Sequence, residues 1–257
     1  MAEWNDPQST RSPFGAQPQL NGELIGAARD EGLRAYMLSI YNYMASGVLL
    51  SGVVALLFAR SGLALQVLQT PLRWLIMLAP LGFVMAMSFG LQKMQTSTLR
   101  ALFWGFSVTM GLSLSSIFLV YTGTSVAMTF FATAGAFGGL SLYGYTTKRN
   151  LSAMGSFMVM GLIGIIIAMV LNLFLQSSAV ALAISVLGVL IFAGLTAWDT
   201  QRLRAAYYAV RGTEMMQKVV IMGAEMMQKV VIMGALSLYL DFINMFQFLL
   251  SFMGDRR

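Results

Sequence analysis

The chain contains no cysteine and no histidine. It can therefore form no disulfide, and it lacks the thiol and imidazole groups that most nucleophilic enzymes, zinc sites and haem sites use. A serine, histidine and aspartate triad is excluded for the same reason. Any response to pH near neutrality must come from carboxylates, because histidine is the side chain that ordinarily titrates there.

Charged residues are also scarce: they make up 10% of the 257 residues, whereas 58% are hydrophobic. Soluble domains carry about a quarter charged residues, so most of this chain is expected to lie in lipid. A helix needs about 20 apolar residues to cross a hydrocarbon core about 30 Å thick. Seven segments qualify: 37–59, 72–90, 99–121, 124–145, 154–175, 178–198 and 230–253. The sequence predicts an all-α integral membrane protein with seven transmembrane helices.

The polar residues divide the chain into a tail and a membrane domain. Residues 1–30 are rich in Gln, Pro, Asn, Ser and Gly, and they are predicted to form a disordered or weakly helical cytoplasmic tail before a membrane domain at 31–257. Cytoplasmic loops are enriched in Lys and Arg. One side of the predicted bundle receives the tail's arginines, Lys93, Arg100, Lys148, Arg149, Arg202, Arg204 and Arg211, and the other receives Arg60, Arg73, Arg256 and Arg257.

This charge bias predicts a cytoplasmic N-terminus and, after seven spans, a C-terminus outside. A re-entrant last segment would instead return the C-terminus to the inside. The net charge of +6 does not indicate nucleic-acid binding, because the basic residues lie at span ends beside lipid headgroups. The lipid bilayer is the partner that the composition predicts.

A tandem repeat precedes the last span. The run EMMQKVVIMGA occupies 214–224 and recurs unchanged at 225–235. An insertion of this length equals about three helical turns, so a helix can absorb it without rotating the residues that follow. We expect the first copy to stay outside the bilayer, and Glu214/Lys218 and Glu225/Lys229 to form i,i+4 pairs on one helix face. Small residues at Gly135 and Gly139 form a GxxxG pair, which is typical of close helix packing.

Two aspartates, Asp199 and Asp241, are the carboxylates embedded in the apolar body, and no Asp or Glu occurs between residues 32 and 198. An ionisable group inside a membrane is costly, and it marks a functional site by default. Asp241 lies about 18 Å along a helix from Lys229. Asp199 has Arg202 three residues later on the same helical face, so an interfacial ion pair would also explain it. A structural, hydrogen-bonded acid remains the alternative for Asp241.

The sequence around these acids resembles a known family. WDTQRL contains Asp199, LYLDFINMF contains Asp241, and GLSLSSIF and YTTKRNLSAMGSF lie between the second and sixth spans. These runs are similar to the proteobacterial branch of the Bax inhibitor family, the transmembrane Bax inhibitor motif proteins, over about residues 28–253. The resemblance implies seven helices with the last one central and surrounded by the other six.

The resemblance also implies a pH-sensitive Ca²⁺ leak of the bacterial inner membrane, with Asp199 and Asp241 as the sensor and ion pathway. Their oxygens are then candidate ligands for passing Ca²⁺, since this ion prefers hard oxygen donors. No resident cofactor is expected. Calcium-leak members of the family place an arginine of the second span in the gate, and here that span offers only Arg73 at its edge.

Two other functions are compatible with parts of the sequence. An intramembrane aspartyl protease also uses two aspartates, but its GxGD run and PAL motif are missing: Leu-Tyr-Leu precedes Asp241, and no proline follows Pro80. We therefore do not expect an enzyme. The second is a membrane interaction protein that modulates a stress response or a quality-control protease without intrinsic transport. The N-terminal tail would then contact the membrane protein partner.

Overall fold

The computed structural model describes residues 17–212 and 217–256, and the side chains of residues 30–209 and 223–256. Within these ranges the chain is helical and has no strand, apart from one isolated backbone bridge between Tyr121 and Arg256. The helices are α1 (Gln17–Arg60), α2 (Leu63–Leu68), α3 (Leu72–Gly90), α4 (Thr96–Val120), α5 (Gly123–Thr146), α6 (Ser152–Leu175), α7 (Ser178–Gly212) and α8 (Gln217–Met253).

Seven of the described helices are long and apolar enough to cross a membrane, which confirms the predicted helical membrane bundle. The short α2 is the exception, and it follows a turn at Gly62, whose φ of 74° favours glycine. The predicted tail of residues 1–30 is helical from Gln17 onward, because α1 continues through it. Residues 1–16 lie outside the described residues.

The last helix occupies the centre of the bundle. In α8, 67% of the most apolar 18-residue stretch is buried, whereas the other spans reach at most 33%. Four helices, α1, α4, α5 and α7, pack directly on α8. The outer helices α3 and α6 pack mainly on α4 and α7. The last helix is therefore central, as predicted, with four spans packed on it and α3 and α6 in a second layer.

The bundle has two ends, which we name by one residue each. At the Lys148 end, Arg204 donates a hydrogen bond to the carbonyl of Tyr145 at 2.8 Å. At the Arg256 end, Thr122 N–H donates to the Asp255 carbonyl at 3.1 Å. Gly234 of α8 faces Leu203, the neighbour of Arg204, so α8 runs from the Lys148 end to the Arg256 end and crosses the whole bundle. A re-entrant last segment does not fit this path.

The repeat extends α8 beyond the bilayer. With 37 residues, α8 is about 55 Å long, far more than a hydrocarbon core about 30 Å thick. In the second copy, Lys229 lies 3.5 Å from Glu225, and Glu225 is exposed. Burial begins at Val231. The Glu214/Lys218 pair expected in the first copy lies outside the described side chains.

Glycines permit close helix packing, although not at the predicted positions. Gly135 and Gly139 face open space, so the GxxxG interpretation is wrong. A methyl group at Gly144 would instead collide with the backbone carbonyl of Ala197, and one at Gly155 would collide with the Trp198 ring. These two glycines let α5 and α6 approach α7 just before Asp199.

Candidate functional site

Contacts at two levels fix the register of α7 against α8. Gly188 of α7 faces the ring of Phe248, and Gly234 of α8 faces the side chain of Leu203. Residue numbers rise along one helix as they fall along the other, so the two helices are antiparallel. Residues 188–203 of α7 therefore lie opposite residues 248–234 of α8.

That register brings the two predicted acids together. Asp241 lies opposite Thr196, and Asp199 is about one helical turn nearer the Lys148 end. Both carboxyl groups are buried, with residue exposures of 7% for Asp199 and 5% for Asp241. Arg202 is ion-paired to Asp199 on the same helix. The three residues therefore form one unit at the contact between α7 and α8.

Arg202 lies at the edge of this unit. Its Nη2 is 3.4 Å from Asp199 Oδ1, and the Arg202 side chain is 51% exposed, whereas that of Asp199 is 10% exposed. The guanidinium also stacks over the Trp198 ring, 5.0 Å from its centroid. A charge-assisted hydrogen bond would be about 2.7–2.9 Å long. Arg202 therefore offsets part of the Asp199 charge without forming a close hydrogen bond.

Several polar atoms of this region have no hydrogen-bond partner in the described part of the protein. They are Asp199 Oδ1, Asp241 Oδ2, Thr200 Oγ1 and Ser141 Oγ. Asp199 Oδ1 is the oxygen in the 3.4 Å ion pair with Arg202, whereas Asp241 Oδ2 has neither a hydrogen bond nor an ion pair among the described residues. Leaving a buried polar group unpaired costs about 1–3 kcal/mol, and more when the group is charged. Such atoms call for a bound proton, a water molecule or an ion.

The site is poor in ligands for a resident metal. No group of three or more acidic residues that could hold a metal ion occurs among the described side chains. Ca²⁺ takes about six to eight oxygen ligands. Two carboxyl groups and neighbouring hydroxyls can contact such an ion but supply only part of its shell. This chemistry suits brief passage better than tight binding.

Sequence reasoning missed a line of hydroxyl groups on α5. Four buried residues share one face at helical spacing: Ser125, Thr129, Thr133 and Ser141. Phe137 occupies the same face between the last two, and its ring centroid is 5.5 Å from that of Phe242, the residue after Asp241. The recurrence of small hydroxyl residues every four positions was visible in the sequence and predicts such a face.

A second polar contact fixes α8 close to the acids. Ser51 Oγ lies 2.7 Å from the Ser107 carbonyl oxygen, 2.9 Å from the Gly47 carbonyl oxygen and 2.6 Å from Tyr239 Oη. A carbonyl oxygen only accepts, so the one Ser51 hydrogen goes to a carbonyl and Tyr239 donates to Ser51. These bonds connect α1, α4 and α8 two residues before Asp241.

Comparison with known proteins identifies the family. The family model described as "Inhibitor of apoptosis-promoting Bax1" matches residues 33–257, a range that includes both aspartates. The chain belongs to the Bax inhibitor family. Uncharacterized protein RP147 of Rickettsia prowazekii is 47% identical over 229 residues, covering 89% of this chain and 92% of that protein.

Another member of the Bax inhibitor family, inner membrane protein YbhL of Escherichia coli, is 43% identical over 230 residues, covering 88% of this chain and 94% of YbhL. An uncharacterized protein of Caulobacter vibrioides is 46% identical over 239 residues, covering 89% and 91% of the two chains. The proteobacterial resemblance is thereby confirmed. The name of YbhL describes an inner membrane protein, the other two names say only that the proteins are uncharacterized, and none of the three states an activity.

The gate arginine that the resemblance implies for the second span has no equivalent at this site. Arg73, at the edge of α3, is exposed and stacks over the ring of Trp74 at 5.3 Å. The arginine beside the acids comes from α7 instead, as Arg202.

Proposed function

We propose that this Bax inhibitor family member is a cation leak pathway of the bacterial inner membrane, with Ca²⁺ as the transported ion and the Asp199 and Asp241 pair as its pH sensor. One observation carries the proposal. Two buried carboxyl groups on adjacent helices lie about one helical turn apart in the register of α7 against α8, and Asp241 Oδ2 has neither a hydrogen bond nor an ion pair in the described protein.

Proton sharing would couple this pair to pH. Two carboxylates close together in a low-dielectric interior cannot both ionise cheaply, so the pair keeps one proton and titrates as a unit. When the pH rises and that proton leaves, the two charges repel. Because Asp199 is on α7 and Asp241 on α8, the repulsion acts to separate these helices. We expect the leak to rise with pH.

The hydroxyl face of α5 would line the pathway toward the Arg256 end. Its buried Ser and Thr side chains offer oxygen atoms to a partly dehydrated cation. The ring contact between Phe137 and Phe242 lies beside Asp241 and would serve as the apolar constriction. A movement of α8 would then open the constriction and expose the acids in one step.

The charge of the pair favours cations, and its small ligand number favours release. A conducting site must bind an ion well enough to admit it and weakly enough to let it leave. Two carboxylates next to the half-exposed Arg202 meet this requirement. The pair would therefore provide a transient site on the pathway.

Flux across proteoliposomes tests the proposal. Purified protein should pass Ca²⁺ from a loaded to an unloaded compartment, with a rate that increases between about pH 5 and 8. Empty liposomes report the background. Protein that is folded and inserted but passes no ion at any pH in this range would contradict the proposal, and it would leave the membrane interaction role without intrinsic transport.

A further inference from the structure

A long groove opens between α1 and α5. Both helices pack on α8 but make little contact with each other. The groove has a cavity volume of about 740 Å³ and is lined mainly by apolar side chains along 37–49 of α1 and 130–142 of α5, with Ser141 as a polar exception. Phe242 of α8 contributes to its lining. This volume is within the range of about 300–1,000 Å³ that small-molecule sites occupy.

The length of the groove matches one leaflet. The stretch of α1 from Met37 to Val48 is about 16 Å long, or about half of a 30 Å hydrocarbon core. A second cavity of about 260 Å³ shares Val48 and Phe130 with the groove and continues it toward the Arg256 end. The groove therefore has the depth needed for an acyl chain that enters from the Lys148 end.

Charged groups of both signs surround the mouth of the groove at the Lys148 end. Arg34 and Tyr145 line the groove and also a polar cavity of about 730 Å³. That cavity is further lined by Asp30, Glu31 and Arg204. Although Asp30 and Glu31 are one turn from Arg34, the ion pairs of the described residues do not include any of the three.

We propose that this groove binds one membrane glycerophospholipid with a zwitterionic, amine-bearing headgroup. An acyl chain lies in the apolar groove, Arg34 and Arg204 bind the phosphate, and Asp30 and Glu31 bind the ammonium group. Charge complementarity supports this occupant, because a phosphate and an ammonium on one headgroup match two guanidinium and two carboxylate groups. The proposal does not depend on ion conduction.

Two adjacent glycines provide a matched test of the acyl-chain site in the groove. Gly138 lines the groove, Gly139 does not, and an added Cβ at either would contact nothing within 4 Å. Gly138→Phe should fill the groove, whereas Gly139→Phe adds the same ring outside it. The protein is purified from nanodiscs containing phosphatidylethanolamine and phosphatidylglycerol with identical acyl chains, and retained lipid is measured by native mass spectrometry.

We expect the parent and Gly139→Phe to retain one phosphatidylethanolamine, and Gly138→Phe to retain roughly tenfold less. Equal retention of phosphatidylethanolamine by all three proteins would overturn the acyl-chain site. A phosphatidylethanolamine with a photoreactive group on its acyl chain gives an independent check on the parent protein. Its crosslinks should map to residues 37–49 and 130–142, and crosslinks confined to other helices would also overturn the site.

Separate variants test the assignment of the headgroup. Arg34→Gln should lower retention of phosphatidylethanolamine several-fold, whereas Lys148→Gln, a control at the same end but outside the groove, should not. The double change Asp30→Asn and Glu31→Gln should remove the preference for phosphatidylethanolamine over phosphatidylglycerol. Equal or stronger retention of phosphatidylglycerol by the parent would overturn the zwitterionic assignment.

Discussion

Asp199 on α7 lies about one helical turn from the level of Asp241 on α8, and Asp241 Oδ2 has neither a hydrogen bond nor an ion pair in the described protein. A purely structural acid would use its oxygens in hydrogen bonds. The ion pair between Asp199 and Arg202 exists, but it is long at 3.4 Å. That ion pair therefore does not account for Asp241, which is buried beside it without an ion-pair partner of its own among the described residues.

The first prediction concerns orientation. Lys148 and Arg256 lie at opposite ends of the bundle, and the chain has no native cysteine. In intact cells an impermeant thiol reagent should label Arg256→Cys but not Lys148→Cys or Ser9→Cys, because basic residues favour the cytoplasmic side. Gly254 is unsuitable for this purpose, since a side chain there would meet the Leu250 carbonyl and the Tyr121 ring. Labelling of Ser9→Cys from outside would show that the N-terminus lies outside, opposite to the predicted orientation.

The second prediction concerns the repeat. Deleting 225–235 joins the first copy to Leu236 and restores the sequence before Asp241. It shortens α8 by about 16 Å at the Lys148 end. We expect the melting temperature in detergent to stay within about 2 °C of the parent, because identical side chains take the vacated core positions. A large loss of stability, or a changed pH profile of flux, would show that both copies are needed.

The third prediction concerns the close approach of α5 to α7. Gly144→Ala should lower the free energy of unfolding by about 1–3 kcal/mol, because the new methyl group meets the rigid backbone carbonyl of Ala197. Gly139→Ala is the matched control on the same helix, and it has open space around the new atom. Equal melting temperatures for the two variants would show that the helices are not in this contact.

The fourth prediction concerns Ser51 and Tyr239, which are 2.6 Å apart. Ser51→Ala leaves the buried Tyr239 hydroxyl without its partner, at a cost of about 1–3 kcal/mol. Tyr239→Phe removes that hydroxyl, and Ser51 can still donate to the Ser107 carbonyl, so we expect a smaller cost of about 0.5–1.5 kcal/mol. Thermal unfolding of both variants and the double variant measures the difference. A larger loss in Tyr239→Phe would argue against the assigned donor.

Apolar run length predicted the seven spans well, because the bilayer imposes a minimum length on each helix. It did not predict how far α1, α7 and α8 continue beyond the bilayer, since polar helical segments carry no such signal. The two aspartates could also be identified from sequence, because acids are rare in apolar surroundings.

The partners of the acids could not be predicted in the same way. The register of α7 against α8 depends on contacts such as Gly234 with Leu203, and a single sequence does not specify which residues of two helices meet. The GxxxG pattern failed for a related reason: it marks a helix face that permits close approach, but it does not supply the neighbour. Gly144 does have a close neighbour, the Ala197 carbonyl of α7, although it belongs to no GxxxG pair.

The pH dependence of Ca²⁺ flux tests the central claim most directly. Parent, Asp199→Asn, Asp241→Asn, the double variant and the control Asp255→Asn are reconstituted in proteoliposomes and measured between about pH 5 and 8. Asparagine keeps the size of the side chain but cannot ionise, so the pair can no longer share a proton. Flux should rise with pH in the parent and in Asp255→Asn, and it should be independent of pH in both single variants. The double variant should match the single variants, since one unit has been removed. An unchanged pH profile in Asp241→Asn would contradict the account.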